Sequence, residues 1–147
     1  MKRMAVCAAL VGAFAMGFVL RGVVPGETVA HAQAPARVFE LRTYTAVDAE
    51  KLDALHKRFR DHTVALFAKH GMENIYFWKP TDAPASGNTM LYLIAHKSRA
   101  AAKASWSAFL ADPEWKKVSS ESEANGRILA GPPQTIYLEA MDYSPVK

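Results

Sequence analysis

The first structural signal in the chain is an alternation of side-chain character over residues 38–44, VFELRTY. Because successive side chains of a β-strand point to opposite faces of a sheet, this alternation predicts a strand with two different faces. The face expected to lie under helices carries Phe39, Leu41 and Thr43. The other face carries Val38, Glu40, Arg42 and Tyr44. This second set combines charges with an aromatic ring, which indicates a solvated surface or a polar cavity.

A long amphipathic helix is predicted directly after this strand. Asp48 is a suitable N-cap, since its carboxylate can accept hydrogen bonds from the free amides of the first turn. The buried stripe of the helix recurs at steps of three and four residues: Leu52, Leu55, Phe59, Thr63, Leu66 and His70. The basic residues Lys57, Arg58 and Arg60 fall outside the stripe and are interpreted as a solvated face. Gly71 is predicted to end the helix in a left-handed conformation.

The rest of the chain adds three strands and two helical segments. The predicted strands span residues 73–79, 89–96 and 134–141. The first two are joined by a short loop, so we expect them to form an antiparallel hairpin. Ser98 is predicted to cap a helix over 98–110, and Asp112 followed by Pro113 begins a further helical segment.

The order of these elements is β-α-β-β-α-β, which is the plan of ferredoxin-like α+β folds. In this plan both helices cover one face of the sheet. On the assignment above, the second face is too rich in aromatic side chains to remain in water. A second copy packed sheet to sheet would cover it, so the sequence predicts a ferredoxin-like sandwich that forms a homodimeric α/β barrel.

The first 32 residues have the features of a targeting segment. A basic start precedes an apolar or glycine run over 5–20, and a small-x-small pattern ends at Ala32. This arrangement predicts a secretory signal peptide cleaved after Ala32, followed by a short linker over 33–36. The alternative is an uncleaved N-terminal membrane anchor, although the run is shorter than the roughly 20 residues that span a bilayer. Either way, the domain over 37–145 is expected outside the cytoplasm, periplasmic or secreted.

Composition and motifs exclude several classes of function. Half of the 147 residues are hydrophobic and 22% are charged, which is an ordinary globular balance. Two of the four net positive charges lie in the first 32 residues, and no basic stripe follows them, so no nucleic-acid partner is expected. The only cysteine, Cys7, precedes the predicted domain, which therefore has no disulfide, thiolate nucleophile or cysteine metal site. The common zinc, dinucleotide and phosphate motifs are absent, and no metal or cofactor is predicted.

Four segments of the chain resemble, in this order, the NIPSNAP family: FELRTYT, FRDHTVALFAKHGM, the hairpin end LYLIAH, and ASWSAFLADPEWKKV. The resemblance covers residues 37–145 and implies a dimeric α+β barrel. The superfamily to which that family belongs also holds cofactor-free monooxygenases, haem-degrading enzymes and small decarboxylases or isomerases. The biochemistry of the family itself is mostly unknown, so the resemblance implies a fold more than an activity.

His62 and Glu40 are the candidate catalytic residues. His62 lies in the family-like segment RDHT, where a neutral imidazole near a cavity can act as a general base or a ligand. Its structural alternative is a histidine hydrogen-bonded to backbone where helix meets sheet. Glu40 and Arg42 share a strand face, so Arg42 can bind an anion while Glu40 orients it or acts as a base. Their alternative is a structural ion pair across the dimer or with Glu139.

The candidate ligand-binding residues combine one guanidinium with four aromatic side chains: Arg42, Tyr44, Trp78, Tyr92 and Tyr137. Aromatic side chains of this kind can line a pocket for a small planar ligand. Their structural alternative is the core of the dimer. His96 ends a predicted strand and is interpreted as a solvated edge histidine.

Three functions remain open at this point. The first, which we expect, is an exported dimer that binds a small molecule in the barrel formed by the sheet faces, because no complete catalytic constellation accompanies the polar-aromatic face. The second is a cofactor-independent monooxygenase or isomerase that uses His62 with Glu40 and Arg42. The third is haem binding through His62 or His96, which depends on superfamily analogy alone.

Overall fold

The computed structural model describes residues 37–147, which form one antiparallel sheet covered by helices. The strands are β1 (Val38–Thr45), β2 (Glu73–Trp78), β3 (Thr89–His96) and β4 (Gln134–Leu138). Their order across the sheet is β2-β3-β1-β4. This order confirms the predicted ferredoxin-like α+β fold. The predicted signal peptide, anchor and linker lie outside the described residues, within which no helix is long and apolar enough to cross a membrane.

The three helical runs begin at the predicted N-caps, and the first of them, predicted as one helix, is divided by a π-helical turn. They are α1 (Ala49–Arg58), a π-helical turn (Phe59–Thr63), α2 (Val64–Lys69), α3 (Arg99–Ala111) and α4 (Pro113–Ser122). The side chains of Asp48, Ser98 and Asp112 accept hydrogen bonds from first-turn amides at 2.8, 3.1 and 2.8 Å, so all three predicted N-caps are confirmed. Gly71 follows α2 with φ +75°, a left-handed conformation that an L side chain would rarely adopt. The last strand is shorter than predicted, because it ends at Leu138.

The core lies between the helices and one face of the sheet. It is dominated by aromatic rings that contact each other edge to face. Phe109 of α3 illustrates this packing, since its ring centre lies 5.1 Å from that of Phe67 and 5.6 Å from that of Trp106. Tyr92 at the centre of β3 is wholly buried. Such rings remove large apolar areas from water, and their burial is the main source of stability in this layer.

The structure reverses the predicted assignment of the two sheet faces. Glu40 accepts a hydrogen bond from Trp106 of α3, and the Tyr44 ring packs against Phe59, so the even-numbered residues of β1 lie under the helices. The expectation that Phe39, Leu41 and Thr43 face the helices is therefore wrong. Alternation separates a strand into two sets of side chains, but it does not say which set a helix will cover.

The uncovered face of the sheet, which we call the open face, is apolar. Its side chains include Leu41 of β1, Leu91 and Leu93 of β3, Tyr76 and Trp78 of β2, and Ile136 and Leu138 of β4. The last four of these are 40–57% exposed. Soluble monomers rarely expose a contiguous apolar patch of this kind, so the open face is a candidate interaction surface.

Candidate functional site

A cavity of about 440 Å³ lies between the sheet and the helices, and we call it the central cavity. Its walls combine aromatic rings with two guanidinium groups and one carboxylate. The lining residues that matter for its chemistry are Arg42, Tyr44, Arg58, Trp106, Trp115 and Glu123. Ligand pockets of proteins typically measure about 300–1,000 Å³ and are largely apolar with a few convergent polar groups. The central cavity has both properties.

Arg42 reaches this cavity from β1. Its guanidinium carbon lies 4.1 Å from the centre of the Trp106 ring, which is a close cation–π contact. Its Nε donates a hydrogen bond to Thr135 Oγ1 at 3.1 Å and lies 3.4 Å from Glu40 Oε1. Both contacts use Nε, so neither engages the Nη1–Nη2 edge that arginine uses for bidentate binding of carboxylates.

Glu40 lies behind Arg42 and is buried. Its Oε2 accepts hydrogen bonds from Trp106 Nε1 at 2.7 Å and from His96 Nε2 at 2.9 Å. Burial alone would raise the pKa of Glu40, but these hydrogen bonds and the charge of Arg42 outweigh it and lower the pKa below 4.5. Glu40 therefore stays ionised, fixes Trp106 and compensates Arg42. Its carboxylate is not open to a substrate.

A pair of hydrogen-bonded tyrosines forms the next layer. Tyr92 donates its hydroxyl proton to the Tyr44 oxygen at 2.9 Å. Burial and the neighbouring Tyr44 raise the pKa of Tyr92 well above its usual value of 10.0, so Tyr92 remains a neutral donor. Tyr44 lines the central cavity, whereas Tyr92 is buried and does not. The structure thus brings Glu40, Arg42, Tyr44 and Tyr92 together on one face, and this face is the helix-covered one.

Arg58 supplies the second guanidinium, and the prediction that it belongs to a solvated face is wrong. It is only 5% exposed, and its Nη1 donates to Ser122 Oγ at 3.2 Å and lies 3.5 Å from Glu123 Oε1. Its guanidinium carbon is 5.2 Å from the Trp115 ring centre. The position of Arg58 three residues after Leu55 was a signal for burial, because residues three apart share a helix face.

A π-helical turn over Phe59–Thr63 begins immediately after Arg58. Such turns insert one extra residue per turn and are frequent at functional sites. Here the turn places both Phe59 and Thr63 in the wall of the central cavity, and Thr63 Oγ1 donates to the Arg58 carbonyl at 3.2 Å. Nothing in the predicted amphipathic stripe indicated this irregularity.

Two of the other predicted site residues, His62 and Trp78, lie away from this cluster. His62 is exposed and lines a separate shallow groove with Asp61 and Glu121, so the structure does not bring it together with Glu40. Trp78 lies on the open face, where its ring stacks on Tyr76 with 5.1 Å between centres.

Tyr137 and His96 both approach the Glu40 carboxylate. Tyr137 is half-buried beneath Arg99, whose guanidinium carbon is 3.2 Å from the ring centre, and burial together with Glu40 raises its pKa. His96 is buried, not solvated as predicted, and its Nε2 is engaged by Glu40. An axial role for His96 toward haem through Nε2 would require this contact to break. Within residues 37–147, no three His, Cys, Asp or Glu side chains are grouped to hold a metal ion.

Solved structures of similar fold include several NIPSNAP proteins. A NIPSNAP-like domain protein from Burkholderia xenovorans aligns with a TM-score of 0.64 and 18% identity, covering 76% of this chain and 90% of the other. A NIPSNAP family protein of unknown function from Agrobacterium tumefaciens aligns with a TM-score of 0.65 and 16% identity, covering 78% and 97%.

A more distant structural match is a monooxygenase from Streptomyces coelicolor in complex with the ligand nanaomycin D. It aligns with a TM-score of 0.51 and 12% identity, covering 76% of this chain and 94% of the other. At such identities the likeness shows a common fold and does not transfer an activity. Among curated proteins, no sequence matches significantly. The family model described as NIPSNAP matches residues 39–145, which is most of the chain, and the chain therefore belongs to the NIPSNAP family.

Proposed function

We propose that this chain binds a small planar molecule carrying an anionic oxygen, and that it does so in the central cavity. The observation that carries the proposal is the presence of two guanidinium groups, those of Arg42 and Arg58, in a cavity walled by aromatic rings. The location differs from the sequence-based hypothesis of a barrel between sheet faces, since the polar candidates lie under the helices.

The two arginines are available in different degrees. Arg58 is compensated by Glu123, although the 3.5 Å separation is long for a hydrogen bond. The carboxylate partner of Arg42 is Glu40, which also accepts hydrogen bonds from His96 and Trp106. The contacts of Arg42 with Thr135 and Glu40 both use Nε, so they do not involve its Nη1–Nη2 edge. A carboxylate or phenolate oxygen is the ligand group that best fits such an edge. The aromatic walls favour a flat body, because stacked and edge-on rings gain more than their buried area alone.

Binding of 2-naphthoate to the full chain, followed by isothermal titration calorimetry, tests this proposal. Arg42→Gln should weaken binding about tenfold or more, because a charge-assisted hydrogen bond contributes about 1.5–3 kcal/mol. The matched control is Arg127→Gln, an exposed position outside the cavity, which should leave the affinity unchanged. The neutral analogue 2-naphthalenemethanol should bind wild type and Arg42→Gln alike. Equal affinity of wild type and Arg42→Gln for naphthoate would remove the anion-binding role.

A second candidate function is a cofactor-independent monooxygenase or isomerase. The observation that favours it is that Glu123 lines the same cavity as the two arginines. A carboxylate can remove a proton from a phenol-like or enolisable substrate, and the arginines can stabilise the resulting anion. His62, the base suggested by sequence, lines a different groove. With a substrate identified, turnover that survives Glu123→Gln but not Arg42→Gln would argue against Glu123 as the base.

A homodimer formed through the open face, and export of the domain, are further parts of the proposal. The exposed Tyr76, Trp78, Ile136 and Leu138 make an apolar surface, and a two-fold dimer would pack this surface against the same surface of a second copy. Mass measurement of the protein recovered from cells that produce it would locate the mature N-terminus. A product beginning at Gln33 is expected, whereas an intact chain recovered with membranes would support the anchor.

A further inference from the structure

A second recess of about 290 Å³ lies beside the edge strand β2, and we call it the edge recess. Its lining includes Phe59, Phe77, Trp78, His56, Arg60 and Lys79. Phe77 is 39% exposed and lies on the helix-covered face of β2, where its ring stacks on Tyr92. Phe59 lines both the edge recess and the central cavity, so one ring stands between the two spaces.

The charge of the edge recess is one-sided. His56, Arg60 and Lys79 are basic, and none of the described residues that line it is acidic. The Nε2 atom of His56 is buried and makes no hydrogen bond within the part of the chain that the structure describes. A buried nitrogen without a partner is costly, and a hydrogen-bonding ligand would satisfy it.

We propose that the edge recess is a second binding site, distinct from the central cavity, for a small aromatic monocarboxylate. The carboxylate lies among Lys79, Arg60 and His56, and the ring lies against Phe59 and Phe77. The volume suits a single ring with one short substituent, since it falls at the lower limit of ordinary ligand pockets. The ligand class overlaps with that proposed for the central cavity, but the charged groups that would bind it are different.

The protonation of His56 provides a local reporter of occupancy. Burial, and then the charge of Lys79, lower the pKa of His56 below 6.5 in the free protein. The charged groups that face it are Lys79 from the end of β2, with Asp53 and Arg60 from its own helical run. A bound carboxylate adds a negative charge beside the ring, so it must raise the His56 pKa. By linkage, the carboxylate then binds more tightly as pH falls through the His56 titration.

Nuclear magnetic resonance titration of the full chain with 4-fluorobenzoate tests the proposal. The His56 ring resonance is assigned by its loss in His56→Gln. Saturating 4-fluorobenzoate should raise the His56 pKa, and the neutral 4-fluorobenzyl alcohol should not. Lys79→Gln, at an exposed position, should weaken 4-fluorobenzoate binding about fivefold, the effect of losing one partly screened charge-assisted contact.

Two control variants distinguish binding at the edge recess from a general charge effect and from binding in the central cavity. Lys103→Gln removes an exposed charge on α3, and Arg42→Gln alters the central cavity; neither should change the His56 response. An unmoved His56 pKa, an equal effect of the alcohol, or loss of the response in Arg42→Gln would each overturn the edge-recess proposal. The two experiments can give opposite results. Naphthoate affinity can be insensitive to Arg42→Gln while 4-fluorobenzoate still raises the His56 pKa, because the two readouts report on different sites.

Discussion

Replacing Glu40 by alanine tests whether this carboxylate holds together the polar cluster on the helix-covered face. Glu40 is 1% exposed and its carboxylate serves three partners at once. Trp106 Nε1 and His96 Nε2 lie 2.7 and 2.9 Å from Oε2, and Arg42 Nε lies 3.4 Å from Oε1. Alanine leaves the first two nitrogens without this acceptor and removes a negative charge next to the guanidinium.

The expected cost follows from these contacts. Each buried donor left without a partner costs about 1–3 kcal/mol, and removing one member of a buried ion pair costs about 3–5 kcal/mol in total. The Arg42 side chain is 18% exposed and can recruit water, which limits its share of the loss. We therefore expect Glu40→Ala to lower the free energy of unfolding by about 3–5 kcal/mol. Glu40→Gln keeps one acceptor oxygen for Trp106 but loses the charge, so it should lower the free energy of unfolding by about 1–3 kcal/mol.

Urea unfolding followed by tryptophan fluorescence and circular dichroism measures both losses. The matched control is Glu73→Ala, which removes an exposed carboxylate paired with Arg37 and should cost less than about 1 kcal/mol. The loss of unfolding free energy is expected to be largest for Glu40→Ala, smaller for Glu40→Gln and smallest for Glu73→Ala. A cost for Glu40→Ala no larger than that of the control would refute the reasoning that Glu40 fixes this cluster.

Three further predictions concern assembly, packing and pH. Ile136→Asp places a charge at an exposed position of the open face and should convert a dimer to a monomer in sedimentation equilibrium; a wild-type monomer at micromolar concentration would exclude the proposed dimer. Phe109→Ala should cost about 3–5 kcal/mol of unfolding free energy, whereas Leu110→Ala, an exposed neighbour, should cost about 0.5 kcal/mol or less. Because folding lowers the pKa of Glu40, its contribution is complete above pH 4.5 and declines as pH falls through the lowered value. Glu40→Gln should therefore show a shallower loss of stability on acidification, and parallel curves would contradict the assignment.

The local elements of this protein are determined by its sequence. The caps at Asp48, Ser98 and Asp112 form as predicted, since each depends on one side chain and the amides two or three residues ahead. Gly71 ends its helix for an equally local reason. The strand order then follows from the order of the elements along the chain. The four segments that resemble NIPSNAP proteins predict the same family as the family model that matches residues 39–145.

Which face of the sheet lies under the helices was decided only by the tertiary structure. Both sets of side chains on β1 include large apolar groups, so the alternation could not show which set lies under the helices. The charged set is interior because Trp106 and His96, 66 and 56 residues away in sequence, satisfy Glu40. The burial of Arg58 likewise depends on Ser122 and Glu123 from α4 and the residue that follows it. The sequence therefore determined most of the elements and indicated several residues of the candidate site. Long-range hydrogen bonds and charge pairs, which no local pattern encodes, decided that these residues lie beneath the helices at the central cavity.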